Sequence, residues 1–303
     1  MKSFNKKRII CGVFIFLLIA VGISVLLLAN GEGEEAAQET VSQESVESEE
    51  WETPELTTEE SPIISETQPP ITTEPEQETT PEETPETEGD LPLDGLFIGI
   101  DAGHQAKGNS EIEETAPGSG EYKAKVSSGT RGRTTGIYEY ELNLAVALLL
   151  RSELEALGAK VLMVRETNDI NVSNQERATM MNDAGVDLCL RIHANGSENT
   201  NDKGAMMLIP SGRYVGPIEE VSRQAGEIIF ATFLEITGAE DDGVIERSDL
   251  TGFNWSQVPV CLIELGYMTN PQEDTLMATE ENRSLCAQAL AEGICRWFAS
   301  RQI

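Results

Sequence analysis

The chain has 303 residues, with 53 Asp and Glu against 21 Lys and Arg, a formal net charge of −32 and only two histidines. Residues 30–90 hold 21 of the acids and no base, and residues 91–303 still carry 32 acids against 17 bases. Bulk charge of that sign excludes nucleic acid as a partner, and composition this uneven divides the chain into unlike segments, with a single folded domain among them.

Residues 1–8 are a basic tail with Lys2, Lys6, Lys7 and Arg8. Residues 9–29 are apolar and uncharged. Twenty-one residues make a helix of about 31 Å, enough to cross the hydrocarbon core of a bilayer. A cleavable signal has a shorter apolar region, of roughly 7–15 residues, followed by a small-residue cleavage site. The expectation is therefore a retained transmembrane anchor. Its basic flank places the N-terminus in the cytoplasm and everything after residue 29 outside. Cys11 stands at the start of the apolar run, not at its end, which argues against lipid attachment there.

Residues 30–90 are Glu, Thr, Ser, Pro and Gln with few large apolar side chains. Such a stretch cannot bury enough surface to offset its ordering entropy. It is expected to be a disordered acidic linker, a stalk averaging about 45 Å end to end as a flexible coil.

From residue 91 the pattern becomes α/β. Leu96–Ile100 is an apolar strand, followed by Asp101-Ala102-Gly103-His104. Residues 105–138 show no clear period and are rich in Gly, Ser and charge; a stretch that long without structure inside a domain is usually functional or disordered. Residues 139–157 repeat Leu142, Val146, Leu149, Leu150 and Leu154 at helical spacing, closed by Gly158. Residues 160–164 read as a strand. Ser173 and Glu176 have capping-box spacing for a helix running to Ala184. Residues 187–192 form a strand of alternating apolar residues that ends at His193, before Ala194 and Asn195. A strand at 204–209, an amphipathic helix at 218–237, a strand at 258–263 and a helix at 280–300 complete the chain. Alternating strands and helices predict a twisted, largely parallel sheet with helices on both faces. Cys189 and Cys261 fall inside predicted core strands as small hydrophobes. Cys286 and Cys295 lie about 13 Å apart along one helix, too far to bridge.

Both histidines follow an apolar strand, where open α/β sheets place their ligands. Two histidines at equivalent strand ends suit two ligands of one metal, and a catalytic zinc needs a third. Glu139, which opens the helix after Gly136-Ile137-Tyr138, is the chosen carboxylate. Acids in a first helical turn are also ordinary dipole residues, and on charge alone Glu141, Glu111, Glu113, Glu114 and Glu121 compete with it. Glu264 interrupts the apolar run Val260-Cys261-Leu262-Ile263. A lone buried carboxylate is costly unless paired or near a metal, and one beside a metal site has a use as a proton carrier.

Four stretches now stand in order: IDAGH (100–104), GIYEYELNLAVAL (136–148), RIHAN (191–195) and VCLIELGYMTN (260–270). Together they resemble the signature stretches of the zinc-dependent N-acetylmuramoyl-L-alanine amidases. Those bacterial enzymes cut peptidoglycan between the lactyl group of muramic acid and the first alanine of the stem peptide. The resemblance spans nearly all of residues 96–298. It implies zinc ligands at His104, Glu139 and His193, a catalytic Glu264, one zinc per chain, and a mixed six-stranded sheet flanked by helices. Val164-Arg165 and Gln175-Glu176-Arg177 resemble family features as well. The chain departs from the family in Gln105-Ala106, where Gly-Gly or similar is usual, and in a longer stretch between His104 and Glu139. Arg131 and Arg133 in that stretch are candidates to pair with peptide carboxylates.

The expectation is thus a single-pass cell-membrane protein of a bacterium. Its catalytic domain, residues 91–303, lies on the cell-wall side and acts on peptidoglycan. The rivals are a zinc peptidase cutting another stem-peptide bond and an inactive anchored wall-binding module. The second has no use for Glu264.

Overall fold

The computed structural model describes residues 91–301. The basic tail, the apolar span at 9–29, the acidic linker and the domain's last two residues lie outside the described residues. Among the described residues no helix is long and apolar enough to cross a membrane.

Six strands make one sheet: β1 (Phe97–Ala102), β4 (Lys160–Met163), β5 (Leu188–Asn195), β6 (Ala205–Pro210), β7 (Asp241–Arg247) and β8 (Val260–Tyr267). Their order is β4-β1-β5-β8-β6-β7. Every pairing is parallel except β6 with β8, so the sheet is mixed and largely parallel, as expected. The parallel pairs need crossovers, and helices supply most of them: α1 (Glu139–Ala156), α2 (Asn174–Ala184), α3 (Glu219–Thr237) and the short α4 (Thr251–Asn254). Two further helices, α5 (Pro271–Met277) and α6 (Glu280–Ser300), follow β8.

Alternation along the strands sorts side chains to two faces. Ile98, Ile100, Leu188, Leu190, Ile192, Cys261 and Ile263 pack with α1, α3 and α6 in the larger core. Cys189, Leu208, Val260 and Leu262 pack with Met181 of α2 and Phe253 of α4 on the other face. The expected helix signals hold. Ser173 Oγ accepts from the Glu176 amide and Glu176 Oε2 from the Ser173 amide. Gly185 and Gly238 close α2 and α3 in the left-handed conformation. The four described cysteines are unpaired thiols.

Three expectations are corrected. Residues 105–138 contain an antiparallel ribbon, β2 (Asn109–Glu114) with β3 (Tyr122–Val126). Its alternation is carried by Ser, Glu and Lys, because the ribbon is largely exposed, so no apolar period marks it. Edge strand β7 was missed for the same reason: Asp241, Glu246 and Arg247 break the apolar pattern. Finally, β5 and β8 run on beyond His193 and Glu264 instead of stopping before them. Their backbones pair with each other past the point where the apolar run ends.

The chain order changes direction between β1 and β5: β1 leads outward to β4, whereas β5 leads on to β6 and β8. In open α/β sheets the crevice at the carboxyl ends of such strands is where ligands bind.

Candidate metal centre

His104 follows β1 by two residues, His193 lies near the end of β5, and Glu139 is the first residue of α1. The crevice brings all three together. Glu139 Oε1 is 3.1 Å from His104 Nε2 and 3.2 Å from His193 Nδ1, and the two ring nitrogens are 3.2 Å apart. These three atoms form a nearly equilateral triangle. Ligands about 2.0 Å from a tetrahedral zinc are separated by about 3.3 Å, so two imidazoles and a carboxylate at this spacing fit that ion. His104, Glu139 and His193 are the one such cluster among the described residues.

Each member is held from behind. His104 Nδ1 donates to the Ser127 carbonyl at 2.9 Å, which leaves the Nε2 lone pair facing the triangle. Glu139 Oε2 accepts from the Thr130 amide at 2.8 Å, and Oε1 accepts from the Ala194 amide and from Asn143 Nδ2, each at 3.2 Å. Burial pushes the Glu139 carboxyl up, but hydrogen bonds to both histidines overcome it and hold the group well below the usual carboxylate range. Burial pushes the His193 imidazole down to about 4, against the opposing bond to Glu139. A neutral imidazole and an ionised carboxylate are the metal-binding forms.

The loop that carries His104 is clamped by two buried arginines. Arg165 donates to the carbonyls of Ala102, Gly103 and Tyr140 at 2.7, 2.9 and 2.7 Å. Arg177 reaches the carbonyls of Ala102 and His104 at 3.0 and 2.9 Å and the Asp101 carboxylate at 2.7 Å. His104 itself sits at φ 59°, the one non-glycine residue with positive φ among those described. That conformation costs a side-chain-bearing residue about 1–2 kcal/mol, and the clamp opposes its relaxation.

Glu264 stands opposite His193 in the β5–β8 register. Its Oε2 is buried without a hydrogen-bond partner, and so is His193 Nε2. Burial, then the Glu139 charge, pushes the Glu264 carboxyl well above its ordinary value, with Arg191 and Arg247 opposing. The triangle, Glu264, Thr130, Gly196 and Thr269 line an open cleft of about 450 Å³.

The rival acids go elsewhere. Glu111 pairs with Lys125 at 2.8 Å, Glu113 and Glu114 accept from the amides of Gln175 and Gly120, and Glu141 caps the Tyr138 amide. Glu121 is exposed on the ribbon side. Arg131 Nε is committed to the Gly136 carbonyl at 2.7 Å inside its own loop. Sequence reasoning missed Ser127, Thr130 and Asn143, whose roles depend on backbone groups and on contacts across the fold.

The model of the N-acetylmuramoyl-L-alanine amidase family matches residues 98–296. An N-acetylmuramoyl-L-alanine amidase of Mycobacterium tuberculosis is 30% identical over 68% of this chain and 88% of its own length. The crystal structure of an N-acetylmuramyl-L-alanine amidase from Mycobacterium smegmatis superposes with a TM-score of 0.63 at 27% identity, over 69% of this chain and 99% of that one. A homologous structure from Mycobacterium abscessus gives 0.63 and 27% over 68% of this chain and all of that one.

Proposed function

The chain belongs to the N-acetylmuramoyl-L-alanine amidase family, a family of peptidoglycan hydrolases, and from this premise we propose a zinc-dependent, membrane-anchored enzyme. It cleaves the amide between N-acetylmuramic acid and the first L-alanine of the stem peptide. The observation that carries the reading is the triangle of His104 Nε2, Glu139 Oε1 and His193 Nδ1, with edges of 3.1 to 3.2 Å.

His104, Glu139 and His193 would hold the metal. Zinc there would supply Lewis acidity to the scissile carbonyl and make a water molecule more acidic. Every other step falls to the chain's own groups. The cleft holds the amide over the triangle. Glu264 takes the proton of the attacking water and returns it to the departing alanine amine. Arg165 and Arg177 hold the His104 loop still, and the Thr130 and Ala194 amides keep the Glu139 carboxylate aimed.

The anchor and its outward orientation rest on the sequence: 21 uncharged residues at 9–29, four bases before them and an acidic stretch after. The catalytic domain then works on the wall side of a bacterial membrane, at the end of the acidic stalk of residues 30–90.

Digestion of purified peptidoglycan by the zinc-loaded full-length protein tests the reading. Mass spectrometry should find intact stem peptides with a free N-terminal alanine and glycan strands bearing bare lactyl carboxylates. Chelation should stop the reaction and zinc restore it. Products cut within the stem peptide, with the lactyl amide intact, would overturn it in favour of a peptidase.

A further inference from the structure

Beyond Glu264, on the face covered by α2 and α4, lies a second cavity of about 220 Å³ that shares His104, His193 and Glu264 with the cleft. In an acidic chain it is lined by three cations: Lys123 of β3, Arg191 of β5 and Arg247 of β7. Glu264 is the one carboxylate among its lining residues.

These cations are held in place but not fully used. Lys123 Nζ donates to the Asp249 carbonyl at 3.0 Å. Arg247 grips the Asp249 carboxylate through Nε and Nη2, both at 2.8 Å. Arg191 uses Nε on Asp101 at 2.8 Å and Nη2 on Asn174 at 3.3 Å. Nη1 of both arginines makes no hydrogen bond among the described residues. Thr251, also in the lining, is 1% exposed, and its Oγ1 is buried without a partner. Burial pushes the Lys123 ammonium down; Asp249 and Glu113 oppose this, and the neighbouring Arg191 and Arg247 charges add to the lowering. Arg191 and Arg247 each already pair with an aspartate, Asp101 and Asp249, so what the cavity offers an anion is the spare Nη1 donors, the Lys123 ammonium and the unpartnered Thr251 hydroxyl.

The geometry points to a carboxylate subsite here, one that receives an acidic residue of the released peptide and so sets which stem peptides are preferred. This rests on the amidase reading, in which Glu264 hands its proton to the departing amine. The peptide therefore leaves on the Glu264 side, and Glu264 also lines this cavity. Its volume suits a carboxylate and the short chain that bears it. Lys123 comes from the β2–β3 ribbon, so the long stretch between His104 and Glu139 supplies part of the selectivity.

The test uses the zinc-loaded full chain and two soluble muropeptides. They differ only in whether the residue after the first alanine carries a free carboxylate or its amide. The wild type should prefer the free acid by about tenfold or more in kcat/KM, mostly through KM. In Lys123→Gln and Arg247→Gln that ratio should fall toward one, while Lys123→Arg should keep it. Zinc content and thermal midpoint report any loss of fold. The released acidic peptide, titrated by NMR into the zinc-loaded wild-type protein, should shift the resonances of Lys123 and Gly252; the amide should not. Equal cleavage of both substrates by all variants would overturn the subsite and leave the amidase reading standing. Cleavage of neither substrate by the wild type would overturn the amidase reading, and the peptide titration would still decide on the cavity: saturable binding of the acid supports an anion site, and no binding overturns it.

Discussion

His193 and Glu264 are register partners on neighbouring parallel strands, so their side chains emerge side by side on one face of the sheet. The sheet therefore sets their spacing, and no loop has to. One of the two turns its Nδ1 into the triangle with His104 and Glu139. The other keeps a buried carboxylate oxygen free of any partner. A ligand and a proton carrier need this arrangement: adjacent, rigid, and not hydrogen-bonded to each other.

The two glutamates should respond differently to substitution. Glu139→Ala removes one corner of the triangle, and zinc affinity and activity should fall together. Glu264→Gln leaves the triangle intact, so zinc should stay near one per chain while turnover falls by about 10²–10⁴. Gln keeps the shape but accepts no proton, so the loss should appear in kcat more than in KM. Metal analysis beside steady-state kinetics checks this. Zinc loss in Glu264→Gln, or an active metal-bound Glu139→Ala, would reverse the roles.

Gly103 faces His193 so closely that a Cβ there would lie 2.3 Å from the ring atoms Cε1 and Nε2. Gly103→Ala should therefore push the imidazole out of the triangle. Overpacking of this kind costs about 1–3 kcal/mol. The expected result is a domain that still folds, with zinc affinity lowered at least about tenfold in a chelator competition. Affinity equal to that of the wild type would mean that His193 is not fixed by this contact.

What was legible in the sequence depended on how each residue signals itself. Core strands and the long helices announce themselves by apolar period, and His104, His193 and Glu264 stood out because each breaks or ends such a run. Glu139 was chosen for its place at the head of a helix, yet a first-turn acid is ordinary and Glu141 and Glu113 competed on charge; the four motifs in order then supported the choice. The exposed ribbon β2–β3 and the edge strand β7 carry little apolar pattern, so they went unread, and with them Lys123 and Arg247. Asp101 sat in plain view inside an apolar strand. Its partners Arg177 and Arg191, 76 and 90 residues away, become visible only once the sheet brings them together.

Arg177 should act on metal binding through His104. Its fork spans the Asp101 carboxylate and the Ala102 and His104 carbonyls. Lysine keeps the charge for Asp101 but is a single point and cannot also hold the loop. Arg177→Lys should therefore weaken zinc binding by about 10–100-fold, the usual effect of losing a group that orients a ligand. It should do so with less loss of stability than Arg177→Met, which strips Asp101 of a cation. Competition with a chromophoric chelator and urea unfolding measure the two effects separately. Equal zinc affinity in Arg177→Lys and wild type would show that Arg165 alone suffices to hold the loop.

Asp101 should tie stability to pH in a definite direction. It is 2% exposed, with Arg177 Nη1 at 2.7 Å and Arg191 Nε at 2.8 Å. Burial pushes its carboxyl up, but the Arg177 and Arg191 charges outweigh this and hold it well below the usual range. A group whose folded pKa is depressed contributes stability that is fully present above its unfolded value of about 4 and is lost as pH falls through the folded one. Asp101→Asn leaves two buried guanidiniums short of a counter-charge, at a cost of about 3–5 kcal/mol. Urea unfolding, run with chelator present so that zinc binding does not contribute, should show that full difference between wild type and Asp101→Asn from pH 5 to 8. Below about pH 4 the difference should shrink, because the wild type begins to lose by protonation what the variant already lacks. A difference that holds constant down to the acid limit, or widens there, would mean that the Asp101 carboxyl is not held below its ordinary range in the folded protein. The two arginines would then have to draw their compensation from the carbonyls of Ala102 and His104 and from Asn174.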